Sequence, residues 1–486
     1  MTLQPLLEPG WMNAILPEII LCLGGMLLIL ADAFAPKSRG ALAPLALIIL
    51  IATAWAETLF VKGGIFFGGT YEISGITMIF DMTFLLAAML ATLFAYEYLE
   101  REGMQAGEFY ALMLWGTAGM MMMAKGLDLL IVILGLEILS ICIFVLVGFN
   151  RRIPVSNEAS LKYFLMGAFA TGFILYGTAL FYGATGSTGF GRMAEFFRTA
   201  DGNNPLLTVA FVLLMAGFGF KLALAPFHPW APDVYQGAPT PVAGWLSVAP
   251  KAATLIALVR LFDAMEPVLP KVNWMNMVAA LAVLSMIVGN AVAIVQRDLK
   301  RMLAYSGIAH VGYMMIAMLT IRDESVAAVS VYAITYALMN IGAFGVVSML
   351  MKNQNDPQTL DDIAGLGFRR PFYGLALAIC MFSLSGLPPT AGFISKFYIF
   401  KTAIESGHIA VAVTGILASI ISVYYYLRVV YYLYMKESVA GYETATAGGV
   451  LSMGALVISI VGILAIGIFP TPLFNAAGQA ARILLQ

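Results

Sequence analysis

Hydrophobic positions run along this chain in long unbroken stretches, with neither the two-residue alternation of half-buried strands nor a clean amphipathic stripe. The runs fall near 13–34, 41–61, 76–98, 108–124, 127–148, 159–182, 206–224, 241–262, 274–296, 302–320, 326–350, 372–403, 409–435 and 450–470. Each suits the roughly 20 apolar residues that carry an α-helix across a bilayer. The pattern therefore predicts an all-α polytopic membrane protein of about fourteen transmembrane helices. The first run has no small-residue cleavage site after a basic start and reads as helix 1, not a removable signal. The tail, 472–486, is too short to span; Ala480, Ile483 and Leu484 opposite Gln479 and Arg482 suggest a helix on the surface.

Two runs are interrupted by proline. In the seventh, Lys221 precedes Ala225-Pro-Phe-His-Pro-Trp-Ala-Pro232; in the twelfth, Ser385-Gly-Leu-Pro-Pro-Thr-Ala-Gly392 splits a run that resumes through Phe400. Proline removes a helical hydrogen bond and clashes with the preceding turn. Broken helices at membrane depth survive only where the freed groups face protein or water, and paired interruptions point to a transporter built from two repeats. Helices 4 and 9 start near 108 and 274, an offset of 166; Lys221 and Lys396 differ by 175, and Glu137 and His310 by 173. These spacings predict two five-helix repeats, inverted because five is odd, with broken helices 7 and 12. The expected organisation is 1–107 for helices 1–3, 108–262 for the first repeat, 263–435 for the second, and 436–486 for helix 14 and the tail.

Composition agrees. Of 486 residues, 61% are hydrophobic and 11% charged, against about 25% charged in a soluble domain. A net charge of −1 gives no basis for a nucleic-acid partner, and membrane lipids are the expected surroundings. Cys22, Cys142 and Cys380 are far apart, so zinc and iron–sulfur sites are not expected; nor is there a nucleotide-binding glycine loop. With the N-terminus outside, the inner connections hold twelve Lys and Arg against nine outside, which places both termini on the outer face.

Against this background the charges inside the runs carry the chemistry. A lysine or aspartate at the bilayer centre costs roughly 2.5–3.5 kcal/mol even on lenient scales, so it marks function or a paired structural site. Glu137, Lys221, Lys251 and Lys396 all lie inside runs or beside their breaks. A desolvated lysine gives up its proton readily, and a carboxylate nearby restores it. Glu137 with Lys221 would form one switchable pair, and Lys251 and Lys396 successive stations for protons. The bland alternative is a static ion pair pinning helices, but three lysines outnumber one acid. Weaker candidates are Lys162 (relay or interfacial anchor), His310 (shuttle) and Arg428 (relay exit or cap for carbonyls of a broken helix). His228 reads as structural, Met120–Met123 as packing, and Asp32, Glu57, Asp81 and Glu97 as interfacial.

Three long motifs carry a resemblance. They are Lys221-Leu-Ala-Leu-Ala-Pro-Phe-His-Pro-Trp-Ala-Pro-Asp-Val-Tyr-Gln-Gly-Ala-Pro-Thr-Pro-Val242, Asp298-Leu-Lys-Arg-Met-Leu-Ala-Tyr-Ser-Gly-Ile-Ala-His310 and Ser385-Gly-Leu-Pro-Pro-Thr-Ala-Gly-Phe-Ile-Ser-Lys396. They resemble the antiporter-like subunits of respiratory complex I, the proton-translocating NADH–quinone oxidoreductase, over helices 4 to 13. Within that family the run from Pro232 to Pro239, a lysine at 396 and the end of the chain near helix 14 are similar to the N-type branch. The resemblance implies proton translocation in the bacterial inner membrane, coupled to quinone reduction elsewhere in the complex. Glu137 and Lys221 would be the coupling pair, Lys251 the central station and Lys396 the link to the outer half-channel. It implies no cofactor in this chain; NADH, flavin, iron–sulfur clusters and most quinone contacts would belong to other subunits. The implied neighbours are the small subunit K and the antiporter-like subunit M. Gly307, where serine is more usual in the family, is not expected to matter. A multisubunit cation/proton antiporter of the same fold is the alternative, and a non-pumping scaffold a third reading disfavoured by the unpartnered lysines.

Overall fold

The computed structural model describes residues 10–199, 204–269, 272–350, 358–437 and 448–484, with 483 and 484 described in backbone only. Lys271 and Lys352, two of the expected loop charges, lie outside these residues, as do the side chains of Ile483 and Leu484.

The long helices are α1 (Leu16–Phe34), α2 (Leu42–Leu59), α3 (Gly75–Arg101), α4 (Gly107–Lys125), α5 (Leu129–Val147), α6 (Pro154–Thr185) and α7 (Pro205–Leu222), whose run continues after a break as a short helix, Trp230–Gly237. Next come α8 (Thr240–Met265), α9 (Trp274–Val295), α10 (Leu299–Ala317) and α11 (Asp323–Leu350). Then follow α12, split into Pro371–Ser385 and Ala391–Glu405, α13 (Ile409–Tyr434), α14 (Val450–Ile468) and the tail helix α15 (Thr471–Leu484). Among the described residues eleven helices are long and apolar enough to cross a membrane. The three remaining expected spans are α4, α10 and the split α12. A small antiparallel hairpin, β1 (Gly64–Phe66) with β2 (Tyr71–Ile73), joins α2 to α3.

Burial sorts the helices into layers. The most apolar window of α8 is wholly buried and that of α11 is 89% buried, whereas those of α6, α13 and α14 are only a third buried. A helix apolar on every face can face lipid or the core; here α8 and α11 occupy the centre. Small residues allow close packing, as expected where apolar surface alone gives no driving force between helices. A Cβ added at Gly119 of α4 would lie 2.6 Å from the Gly135 carbonyl oxygen of α5, and one at Gly135 would lie 2.5 Å from that of Gly119.

Both breaks stand where proline predicts them. Helix α7 ends with Ala223 in the left-handed region (φ 57°), and the first half of α12 ends with Gly386 there (φ 85°). Starts of α4–α8, at 107, 129, 154, 205 and 240, recur for α9–α13 at 274, 299, 323, 371 and 409, offsets of 167, 170, 169, 166 and 169. Lys221 and Lys396, however, flank their breaks on opposite sides: Lys221 precedes its break and Lys396 follows its own.

Several charges change place in the picture. Lys125 and Arg260, counted as outer-loop charges, are buried, as is Lys300 on the inner side. Without them the count is eleven inner against seven outer, a stronger bias in the same direction. Glu57 and Asp81, expected at the interface, are completely buried. The tail does lie on the bundle, but it is docked: Ala477 and Ala481 are fully buried, and the Ala480 Cα lies 3.0 Å from where a Gly75 Cβ would stand.

Candidate functional site

Lys221, Lys251 and Lys396 are all buried and none forms an ion pair among the described residues. Each is held by neutral acceptors. Lys221 ends α7 and donates to Ser140 Oγ of α5 at 2.7 Å, its Nζ 5.4 Å from the Phe144 ring centre. Glu137 stands three residues before Ser140, one turn along the same helix face. Its carboxylate is half-buried and accepts from Thr171 Oγ1 of α6 at 2.7 Å. The expected pair therefore makes no direct contact: Ser140 Oγ donates on to the Leu136 carbonyl, and Glu137 stands one turn away on the same helix.

Lys251 sits in the middle of α8, directly after Pro250 inside the helix. The missing N–H of Pro250 frees a carbonyl one turn earlier, so the backbone is polar where the lysine emerges. Opposite, α11 widens into a π-helical turn, Ala337–Ile341, a device frequent at functional sites. Asn340 of that turn donates to Ser247 Oγ of α8 at 2.6 Å. The Lys251 ammonium donates to the Gly307 carbonyl of α10 at 3.2 Å and lies 5.8 Å from the Tyr235 ring centre.

From Gly307 a polar line continues. His310, on the same face of α10, has Tyr332 Oη at 2.7 Å from Nδ1 and Tyr426 Oη at 3.0 Å from Nε2. Tyr336 stacks on the imidazole at 4.9 Å, and its buried hydroxyl has no partner. That hydroxyl and Lys251 Nζ are each 3.0 Å from the point where a Gly307 Cβ would stand. Tyr336 therefore reaches from the lysine to the histidine. Tyr425, beside Tyr426, donates to Asn290 Oδ1 at 3.0 Å, and Asn290 Nδ2 donates to Tyr313 Oη at 3.1 Å. The Tyr313 ring lies under Lys396 Nζ at 5.1 Å.

Lys396 projects from the second half of α12 back to the break. It donates to the carbonyls of Leu384 (2.9 Å) and Ser385 (3.0 Å) and to Ser419 Oγ of α13 (3.0 Å). The broken helix thus supplies carbonyl ligands, and Gly386 leaves room for the side chain: a Cβ there would lie 3.0 Å from Lys396 Cδ. Beside Lys396 lies a cavity of about 580 Å³, lined by Phe393, Phe397, Ile416 and Ile420.

The weaker candidates separate. His310 belongs to the line. Lys162 pairs with Asp233 at 2.5 Å, and Arg301 with the same carboxylate at 2.7 Å; this ties α6 to the short helix Trp230–Gly237 and to α10. Arg428 donates to the carbonyls of Ile294 and Gln296, each at 2.6 Å, and so caps α9 rather than a broken helix. His228 is half-buried in the first break. Among the described residues no His, Cys, Asp and Glu group has the arrangement of a metal site.

Sequence reasoning missed the hydroxyl partners. Ser140 was signalled by its spacing from Glu137, but Tyr332, Tyr336, Tyr426 and Asn290 look like ordinary helix residues until their helices meet. The Gly307 carbonyl holds Lys251, and a Cβ at this position would stand 3.0 Å from the ammonium. Gly307→Val is expected to push the ammonium aside and lower several-fold the turnover that the family resemblance implies, measured in membranes, while Gly307→Ser, which returns a hydroxyl to that space, keeps most of it. Equal turnover for valine and parent would remove Gly307 from the site.

The family model described as NADH:quinone oxidoreductase/Mrp antiporter, transmembrane, matches residues 126–422. The chain is 43% identical over 481 residues to NADH-quinone oxidoreductase subunit N of Trichlorobacter lovleyi, covering 97% of each. Its fold is similar to a chain of respiratory complex I from Thermus thermophilus (TM-score 0.80, 35% identity, 96% of this chain and 99% of that one). A chain of the Mrp complex from a Dietzia species shares the fold (TM-score 0.82) at 18% identity, over 100% of this chain and 98% of that one.

Proposed function

The chain belongs to the NADH:quinone oxidoreductase/Mrp antiporter transmembrane family, in its subunit N branch, and from that membership we propose a residue-level path for protons through it. It is a multi-pass membrane subunit of NADH–quinone oxidoreductase, a proton-translocating complex of bacterial membranes. The path begins at Glu137 and Lys221, passes Lys251, and continues through Tyr336, His310 and the Tyr426–Tyr425–Asn290–Tyr313 line to Lys396. One observation carries this reading: three buried lysines have only neutral partners, so each tolerates losing its proton without stranding a counter-charge. A static scaffold would pair them.

Two five-helix units, α4–α8 and α9–α13, organise the path, a reading supported by the near-constant offset of their helix starts. Residues 1–107 precede the units in sequence and 436–486 follow them. Lys162 and Arg428 serve as clamps outside the path. The electron-carrying cofactors sit in other subunits. Subunit K is proposed against α5, where Leu130, Leu134, Ile141 and Val145 are exposed on the helix that carries Glu137. Subunit M is proposed against the cavity beside Lys396. Extraction in mild detergent followed by an inventory of co-purifying subunits tests the assignment: flavin and iron–sulfur subunits are expected, and a set containing only cation-antiporter subunits would overturn it.

The coupling pair has its own test. Glu137→Gln and Lys221→Ala are each expected to lower proton uptake, with less than additive loss in the double variant, because groups that share an interaction couple by about 0.5–3 kcal/mol. Ser140→Ala should weaken the coupling without abolishing uptake. Strict additivity in proton-uptake rates would show that Glu137 and Lys221 act independently.

A further inference from the structure

A second buried charge cluster lies apart from this path, where the three helices that precede the two units meet the end of α4. Glu18 is in the first turn of α1, Glu57 in the last turn of α2, Asp81 in the second turn of α3, and Lys125 is the final residue of α4. In an up-and-down bundle the start of α1, the end of α2, the start of α3 and the end of α4 share one face, which brings the four together. Lys125 Nζ lies 2.9 Å from Glu18 Oε1, 3.2 Å from Glu57 Oε2 and 2.9 Å from Asp81 Oδ2. Tyr71 of β2 donates to Glu18 Oε1 at 2.7 Å. Lys125, Glu57 and Asp81 are wholly buried and Glu18 is 7% exposed.

The charges do not balance. Three carboxyl groups face one ammonium, leaving two uncompensated negative charges if all are ionised, and uncompensated buried charge is strongly destabilising. A lysine has only three N–H groups to give, and among the described residues Glu57 Oε1, Asp81 Oδ1 and Glu18 Oε2 are buried without a hydrogen-bond partner. Glu57 and Asp81 are held on the same ammonium, at 3.2 and 2.9 Å. Ionised carboxylates carry no donor of their own, so easing the excess negative charge there requires a proton. We propose that Glu18, Glu57 and Asp81, gathered around Lys125, form a proton-holding site separate from the lysine path, in which Glu57 and Asp81 share a proton.

The site is tied to the centre of the molecule by backbone and charge. The carbonyl of Ala124, next to Lys125, accepts from Arg260 Nε at 2.7 Å, and Arg260 Nη1 pairs at 2.6 Å with Glu72, next to Tyr71. Arg260 is on α8, nine residues beyond Lys251, or about 13 Å at 1.5 Å per residue. A proton gained or lost among the carboxyls is therefore felt along the helix that carries the central lysine.

Infrared difference spectroscopy of the intact complex, in buffer of light and heavy water, reads the shared proton as the C=O absorption of a protonated buried carboxyl. The expected result is such a band in the parent at neutral pH, shifted in heavy water and lost in Glu57→Gln or Asp81→Asn. Both variants should assemble on native gels, since the amide supplies the donor that the shared proton supplied, whereas Lys125→Met, which strands three carboxyls, should not. A parent without the band, or a band that survives both substitutions, overturns the proposal. So does failure of both amide variants to assemble, or a band that appears only when sodium and potassium are removed, which would give the balancing charge to a metal cation.

Discussion

Lys251→Met is expected to reduce NADH-driven proton uptake to about a tenth of the parent rate or less, a barrier increase of at least ~1.4 kcal/mol, in a complex that assembles normally. The geometry separates function from folding here. The ammonium has one protein acceptor, the Gly307 carbonyl, and an aromatic face, so its removal strands no counter-charge. Methionine fills nearly the same volume on an unbranched chain, and loss of a buried charge removes a cost of roughly 2.5–3.5 kcal/mol. Stability should hold or rise while transport stops. Uptake followed with a pH-sensitive dye in inverted vesicles, with native gels alongside, decides the matter. An assembled methionine variant that translocates like the parent would mean that protons do not pass the centre of α8, and the proposed path would fail at its middle.

Lys396→Arg should be nearly as damaging, although the charge is retained. Lys396 looks at first like a cap: its three donors meet the Leu384 and Ser385 carbonyls and Ser419, as a residue closing a broken helix would. If capping were its whole role, arginine, with five donors and a permanent charge, should serve. A relay group must release its proton, which a guanidinium does not do in proteins. Proton uptake is therefore expected to fall about tenfold, again ~1.4 kcal/mol. Histidine and glutamate, which titrate, should retain more activity than alanine or methionine. The planar group must also fit where Gly386 already approaches the lysine stem, so assembly is checked for every variant. An assembled arginine variant with parental uptake would make Lys396 a cap and end the path at His310.

The sequence by itself determined the membrane-embedded helical architecture, both broken helices and the four principal charges. Each follows from local rules: twenty apolar residues span a bilayer, proline ends a helix, and a lysine inside an apolar run is costly enough to mark a site. The residues of three long motifs also carried the family resemblance. Tertiary structure alone decided what the charges meet. It set Glu137 against Thr171, gave Lys221 the hydroxyl of Ser140, and gave Lys251 the carbonyl of Gly307. It separated Lys162 and Arg428 from the path by giving them Asp233 and the end of α9. Most of all it moved Glu57 and Asp81 from the expected interface into the interior around Lys125. Their positions near helix ends are legible in the chain, but burial of a helix end depends on which other ends converge there, and those lie up to 107 residues apart. Hydrogen bonds between tyrosines, asparagine and histidine from four helices escape sequence reasoning for the same reason: periodicity reports which face of a helix is apolar, not which neighbour that face will meet.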